Sequence, residues 1–289
     1  MSTADGIATE VVTRLYGASE LGVLTLTAPG DAHPRVQYVG AELFVGLDDR
    51  AQGVAVTQGD LPDDGVFHDA LRAAIAESDP IPAAEDGWLL IEDESAAAAA
   101  LLDPARIVAA GVGSEPVVFA LARRAVVVVD AADEAALARV ADLAEQLFDD
   151  GAPLVSAHPM LLTEQGWGPF PWRERHPELA PRFERVLRLF SVRAYDVQGV
   201  ALERPDVHIA PAKIRVLESG VTTTFATWPK GTATLLPVVD NVIIADPAGQ
   251  LSVTTMAQFL EAAGDAVVRT GLSPARYFVP GDQPAAASA

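Results

Sequence analysis

The stretch PVVFALARRAVVVVDAADEAALARVADLAEQLFDDG, residues 116–151, decides the fold class of this chain. Two apolar, β-branched runs flank Arg123 and Arg124, which predicts two strands joined by a tight hairpin. Beyond them Val140, Leu143, Ala144 and Leu147 recur at helical spacing. Asp133 and Glu134 suit the positive N-terminal end of that helix, and Gly151 is placed to stop it. A hairpin feeding an amphipathic helix belongs to α+β architecture, because a parallel sheet would need strand and helix to alternate.

The rest of the chain reads in the same terms. Upstream, the spacing predicts a short helix over 8–16 and a half-buried strand in GVLTLTA, 22–28. Strands follow in RVQYVG and ELFVGLD, joined through Gly40, and in GVAVTQGDL, 53–61. Residues 64–78 predict a helix capped by Asp64, with Val66, Leu71, Ala74 and Ile75 on its apolar side. WLLIED, 88–93, is another apolar run, and an Ala-rich helix follows through Leu102. After residue 172 a helical HPELAPRFERVLRLF precedes four expected strands, SVRAYDVQGVALE, VHIAPAKIRVLE, VTTTFATW and TLLPVVDNVIIAD. A helix in MAQFLEAAGDAVVRT, an apolar ARYFVP and a fraying tail QPAAASA close the chain.

Charge divides the 289 residues unevenly. The net charge is −20, and residues 1–172 hold 8 Arg and no Lys against 28 acids, whereas residues 173–289 hold 12 basic and 12 acidic residues. Pro169, Pro171 and Pro177 interrupt regular structure at the step. The expected organisation is α+β in two domains, an acidic 1–172 and an Arg-led 173–289, each a mostly antiparallel sheet with helices packed on one face. With no cysteine the chain has no disulfide, thiolate metal site or cysteine nucleophile. No apolar run reaches the length of a membrane span, and the N-terminus lacks the order of a signal peptide, so a cytoplasmic location is expected. The acidic balance disfavours nucleic acid and anionic membrane surfaces as partners.

AELFVGLDDRAQGVAVTQGDL followed by a helix, and then FALARRAVVVVDAADEAALARVADLAEQLFDDGAPLVSAHPMLLTEQGWGPF, give residues 33–172 a pattern that resembles the YtpQ-like family of bacterial proteins. There a strand hairpin with a polar turn leads into a helix, a small-residue turn, a strand and a closing aromatic or proline segment. The resemblance implies an α+β fold for about half of the chain, and it transfers no catalytic or binding residue.

No catalytic constellation stands out. The five histidines never fall at the i, i+3 or i, i+4 spacing of paired ligands, so neither a metal nor a cofactor is expected. GVGSEP, 111–116, has neither the third glycine nor the Lys-Ser/Thr of a phosphate loop and leads into a strand. The acidic run AEDGWLLIEDES lacks the ligand alternation of an EF-hand and reads as a solvated face.

Two candidate sites remain. Residues 158–178 gather His158, Glu164, Trp167, Trp172 and His176, a mix that suits either a pocket or an ordered connector. Arg182, Arg185 and Arg188 recur every third residue, a spacing suited to docking on carboxylates, whether of the acidic half or of an acidic partner. The expected function is therefore non-catalytic, an adaptor or chaperone-like module with a protein partner or a second copy. The alternative is an enzyme of unrecognised class with an interdomain pocket near residues 158–178.

Overall fold

A computed structural model describes residues 11–28, 30–61, 63–218 and 220–281. The expected fraying tail, and residues 8–10 of the expected opening helix, lie outside the described residues. The fold is α+β, and the chain divides into two compact units, Met1–Val186 and Leu187–Ala289, each described by itself. The charge step near residue 173 lies inside the first unit.

The first unit contains two sheets, where a single sheet per domain was expected. β1 (Val11–Gly17), β2 (Val36–Gly40) and β3 (Leu43–Asp49) form an antiparallel sheet in the order β1-β3-β2. β4 (Trp88–Ile91), β5 (Pro116–Ala122), β6 (Ala125–Asp130), β7 (Met160–Thr163) and β8 (Gly166–Pro169) form the second, ordered β4-β6-β5-β7-β8. The β5–β6 hairpin turns at Arg123 and Arg124 as its sequence predicts.

All seven residues of β5 are buried, because this hairpin is covered on both faces rather than one. Val118, Ala120, Val126 and Val128 enter a core shared with Leu15, Leu47 and Phe67. On the other face Phe119 stacks on Phe183 at 5.7 Å between ring centroids. The helix Glu134–Asp149 packs on β5 and β6 with Ala136, Leu137, Val140, Ala141 and Ala144. The helix Glu94–Leu102 is buried from Ala96 through Leu101, and its small side chains let it lie close along β1.

Several local expectations are corrected. Residues 11–17 are a strand, not part of a helix, because Val11, Thr13 and Leu15 alternate into the core while β3 supplies a seven-residue antiparallel partner. The expected strand at 22–28 is instead the end of the helix Ala18–Thr27, whose Thr25 and Thr27 hydroxyls donate to backbone carbonyls one turn back. Residues 53–61 make only isolated bridges at Ala55 and Thr57. The helix Asp64–Glu77 is capped by Asp63, whose side chain accepts from the backbone N–H of Gly65 and Val66, and it buries Phe67, Ala70, Leu71 and Ala74.

The expected strand SVRAYDVQGVALE is the continuation of a 23-residue helix, Ala180–Leu202. Its buried positions Leu189, Val192, Tyr195, Gln198 and Leu202 step by three or four, a helical period.

In the second unit β10 (Lys213–Val216), β11 (Thr222–Pro229), β13 (Asn241–Ala245) and β14 (Leu251–Thr255) form one four-stranded sheet in that order. β15 (Val268–Arg269), β16 (Arg276–Val279), β12 (Thr234–Pro237) and β9 (His208–Ile209) form another. β11–β13 and β9–β12 pair in parallel, and the other pairs are antiparallel. The inner face of the first sheet, with Ala226, Trp228 and Val242, packs in a core with Tyr195, Met256 and Phe259. Trp228 meets Phe259 edge-on at 5.6 Å, which seats the capped helix Met256–Ala263 beneath that face.

Candidate functional site

The three arginines meet carboxylates of this chain. Arg182 pairs with Asp142, and Arg185 Nε donates to Glu145 Oε2 at 3.0 Å. Asp142 and Glu145 stand three residues apart on the helix Glu134–Asp149, so two arginines at the same spacing meet them in register. Arg188 Nε donates to Asp240 Oδ2 at 3.0 Å. That oxygen also accepts from the Thr224 N–H at 2.7 Å and from the Thr224 hydroxyl at 2.9 Å. Burial alone would raise the Asp240 pKa, but the bonds from Arg188 and Thr224 outweigh it and hold the carboxyl below its ordinary range.

The aromatic and histidine residues of the 158–178 segment are occupied separately. His158 Nε2 lies 3.9 Å from Glu42, and both side chains are largely exposed. Glu164 is exposed in the β7–β8 turn. The Trp167 indole N–H donates to the Leu101 carbonyl at 2.7 Å. Trp172 is buried against Phe183 at 5.4 Å, with Arg173 over its ring. His176 Nε2 is 2.8 Å from the Ala131 carbonyl, an acceptor only, so this nitrogen carries the proton.

The GVGSEP loop is also occupied from within. Asp130 Oδ2 accepts from the backbone N–H groups of Ser114 at 2.7 Å and Glu115 at 3.2 Å. The amides a phosphate would use are thus held by a fixed carboxylate. Gly113 makes room for it, since a Cβ there would lie 2.0 Å from that oxygen.

A polar cluster that the sequence did not suggest joins Arg14, Tyr16, Glu20, Asp48, Glu94 and Arg123. Arg14 Nη1 donates to Asp48 Oδ2 at 2.5 Å, and Tyr16 Oη donates to Asp48 Oδ1 at 3.1 Å. Glu20 accepts from both Arg14 and Arg123. Burial pushes the Glu94 carboxyl above its ordinary range, although Arg123 and Arg14 pull the other way. The Tyr16 hydroxyl is likewise pushed up, first by burial and then by Asp48. Two cations face three carboxylates drawn from β1, β3, two helix starts and the β5–β6 turn. The cluster ties five elements together. Sequence spacing carries no trace of it, because its members are scattered from residue 14 to residue 123.

In the second unit an open groove of about 610 Å³ is lined by Tyr195, Asp196, Glu203, Asp206 and His208, among others. Arg276 lies fully buried at its floor. Its Nε donates to Gln198 Oε1 at 2.7 Å, Nη1 to the Ala210 and Leu235 carbonyls at 2.8 and 3.1 Å, and Nη2 to the Tyr195 carbonyl at 3.1 Å. Burial lowers its pKa to about 10 while Tyr195 and Asp196 oppose the shift, and the guanidinium stays protonated at neutral pH. It braces the long helix against β12 and Ala210. Among the described residues no group of three or more His, Asp or Glu side chains is placed to hold a metal ion.

The outer face of the β10-β11-β13-β14 sheet has a different character. Register places Phe225, Thr227 and Pro229 of β11, Ile243 and Ala245 of β13, and Leu251 and Val253 of β14 on this face. Leu251 and Val253 are 65% and 69% exposed on the last strand. At the opposite edge β10 presents exposed Lys213 and Arg215, the charged side chains that discourage further pairing. β14 carries no charge and no proline. Compared with known proteins, the chain matches no family model, no curated protein and no solved structure. Among the described residues no helix is long and apolar enough to cross a membrane.

Proposed function

We propose that this chain is a non-catalytic protein-binding module, an adaptor or chaperone-like unit that receives an extended protein segment at the β14 edge. The observation that supports this reading is the β14 edge, which pairs with no strand other than β13 among the described residues and is uncharged and apolar on its outer face, in a sheet whose other edge is guarded by Lys213 and Arg215. An added strand would gain main-chain hydrogen bonds from the edge and side-chain contacts from Leu251 and Val253. The enzyme alternative near residues 158–178 draws less support, since Trp167, Trp172 and His176 are committed to internal packing and hydrogen bonds.

A photo-reactive residue at Val253, in the full chain expressed in its native cells, tests the reading. A discrete protein adduct at this position, absent when the same residue is placed at the exposed Val268, is the expected result. Equal labelling at both positions, or none, would overturn it.

A further inference from the structure

We propose that the occupant of the β14 edge is a second copy of this chain, paired antiparallel about a two-fold axis at Ser252; this rests on the protein-binding reading above. The phase of the β13–β14 ladder carries the argument. Asp246 N–H donates to the Gln250 carbonyl at 3.0 Å, and Met256 N–H donates to the Asp240 carbonyl at 3.0 Å. Antiparallel ladders alternate bonded and non-bonded pairs. Residues 250, 252, 254 and 256 therefore bond inward to β13, and Leu251, Val253 and Thr255 turn their backbone groups outward. The Thr255 N–H is already taken by Gln258 Oε1 at 3.2 Å in the cap of the following helix. Two residues, Leu251 and Val253, present the open edge.

An antiparallel mate centred on Ser252 sets Leu251 of one copy opposite Val253 of the other, twice. Each such pair exchanges two N–H to carbonyl bonds, so the outward groups of Leu251 and Val253 in both copies are all satisfied with none left over. The same register places the Leu251 and Val253 side chains in contact on one face, an apolar cross-strand pair. It places no charge opposite a like charge, since β14 has none. Electrostatics points to the same edge. Leu187–Ala289 holds eight Lys and Arg against nine Asp and Glu, a net charge of −1, while Met1–Val186 carries −19. Association through the near-neutral unit sets two surfaces of almost no net charge against each other. Pairing over so short an edge buries little area and is weak.

The chain has no cysteine, so one engineered thiol reports the register directly. Across a two-fold axis Ser252 faces its own mate at a non-bonded position, where Cα atoms approach to about 4.5 Å, within disulfide reach. In sedimentation of the unmodified protein the dimer fraction should rise between about 5 and 500 µM, and Val253→Lys should weaken it at least tenfold. Under mild oxidation Ser252→Cys should become a covalent dimer at least tenfold faster than Lys213→Cys at the opposite edge. A dimer that Val253→Lys leaves intact, or equal cross-linking at 252 and 213, overturns the proposal. A monomer at all concentrations whose Val253 still labels a foreign protein overturns the second copy while leaving the protein-binding reading standing. A monomer that labels nothing overturns both.

Discussion

Arg14 Nε and Glu94 Oε1 lie 3.9 Å apart inside the polar cluster of the first unit, and neither atom has a hydrogen-bond partner among the described residues. Opposite charges face each other there without the directed bond that normally offsets desolvation. The Glu94 carboxyl is accordingly raised above its ordinary value of 4.5, chiefly by burial. A carboxyl with a raised folded pKa binds protons more readily in the native state than in the unfolded one. Its contribution to stability is therefore greatest at low pH and is lost as pH rises from about 4.5 through the folded value. Glu94→Gln should remove this decline, leaving the melting temperature flatter between pH 4.5 and 7 than in the parent. Thermal melts across that range decide it, and parallel pH profiles would mean that the ion pairs with Arg14 and Arg123 offset the burial of Glu94.

Arg276 is the counterpart in the second unit, a buried cation held by neutral oxygens. Replacing it with Met would leave Gln198 Oε1 and the carbonyls of Tyr195, Ala210 and Leu235 without that donor, at a cost of about 3–5 kcal/mol. Arg276→Lys should recover little, because an ammonium cannot reproduce the planar spread of a guanidinium. Denaturant unfolding of both variants measures the difference. A Lys variant within about 1 kcal/mol of the parent would show that charge, rather than the hydrogen-bond fork, is what matters.

How much of this was legible in the sequence depends on whether a segment's partners were local. The β5–β6 hairpin and the helix Glu134–Asp149 were readable because their turn, cap and apolar period all lie within 116–151. Residues 11–28 misled because β1 is a strand through its pairing with β3 some thirty residues away, while the alternating GVLTLTA lies mostly in a helix. Residues 191–203 misled similarly: β-branched and aromatic types suggested a strand, but Val192, Tyr195 and Gln198 bury on a helical period. The Arg182, Arg185, Arg188 stripe was visible, but its carboxylates were not assignable without a fold. The β14 edge was missed, since LSVTT carries no chemistry until the order of strands leaves it outermost.

Asp240 joins β11 to the long helix through one carboxylate. Because its folded pKa lies below the ordinary 3.8, the stability it lends is present above the usual carboxylate range and is lost as pH falls through the folded value. Asp240→Asn should lower stability by about 1 kcal/mol at neutral pH, and the variant should lose less on acidification below pH 4 than the parent. Fluorescence of Trp228, in the core that β11 and β13 share, follows the transition. An unchanged acid limb in the variant would count against this assignment.

The pairs Arg182–Asp142 and Arg185–Glu145 supply the last prediction. They repeat one spacing on two helical segments, so their energies should couple to the partner charge and not to the arginine stems. Reversing both arginines to Glu replaces two attractions with two like-charge contacts. The side chains are partly exposed, and each attraction contributes only ~0.2–1 kcal/mol, so a total loss of about 1–2 kcal/mol is expected. Adding Asp142→Arg and Glu145→Arg should restore stability to within about 0.5 kcal/mol, since the pairs are rebuilt with their signs exchanged. Salt should narrow the gap between the reversed variant and the parent, because a Debye length near ~3 Å at 1 M screens both attraction and repulsion. Urea midpoints for the parent, the two reversed pairs and the fourfold exchange complete the cycle. A fourfold variant no more stable than the arginine reversal would place the role of Arg182 and Arg185 in the packing of their alkyl stems instead.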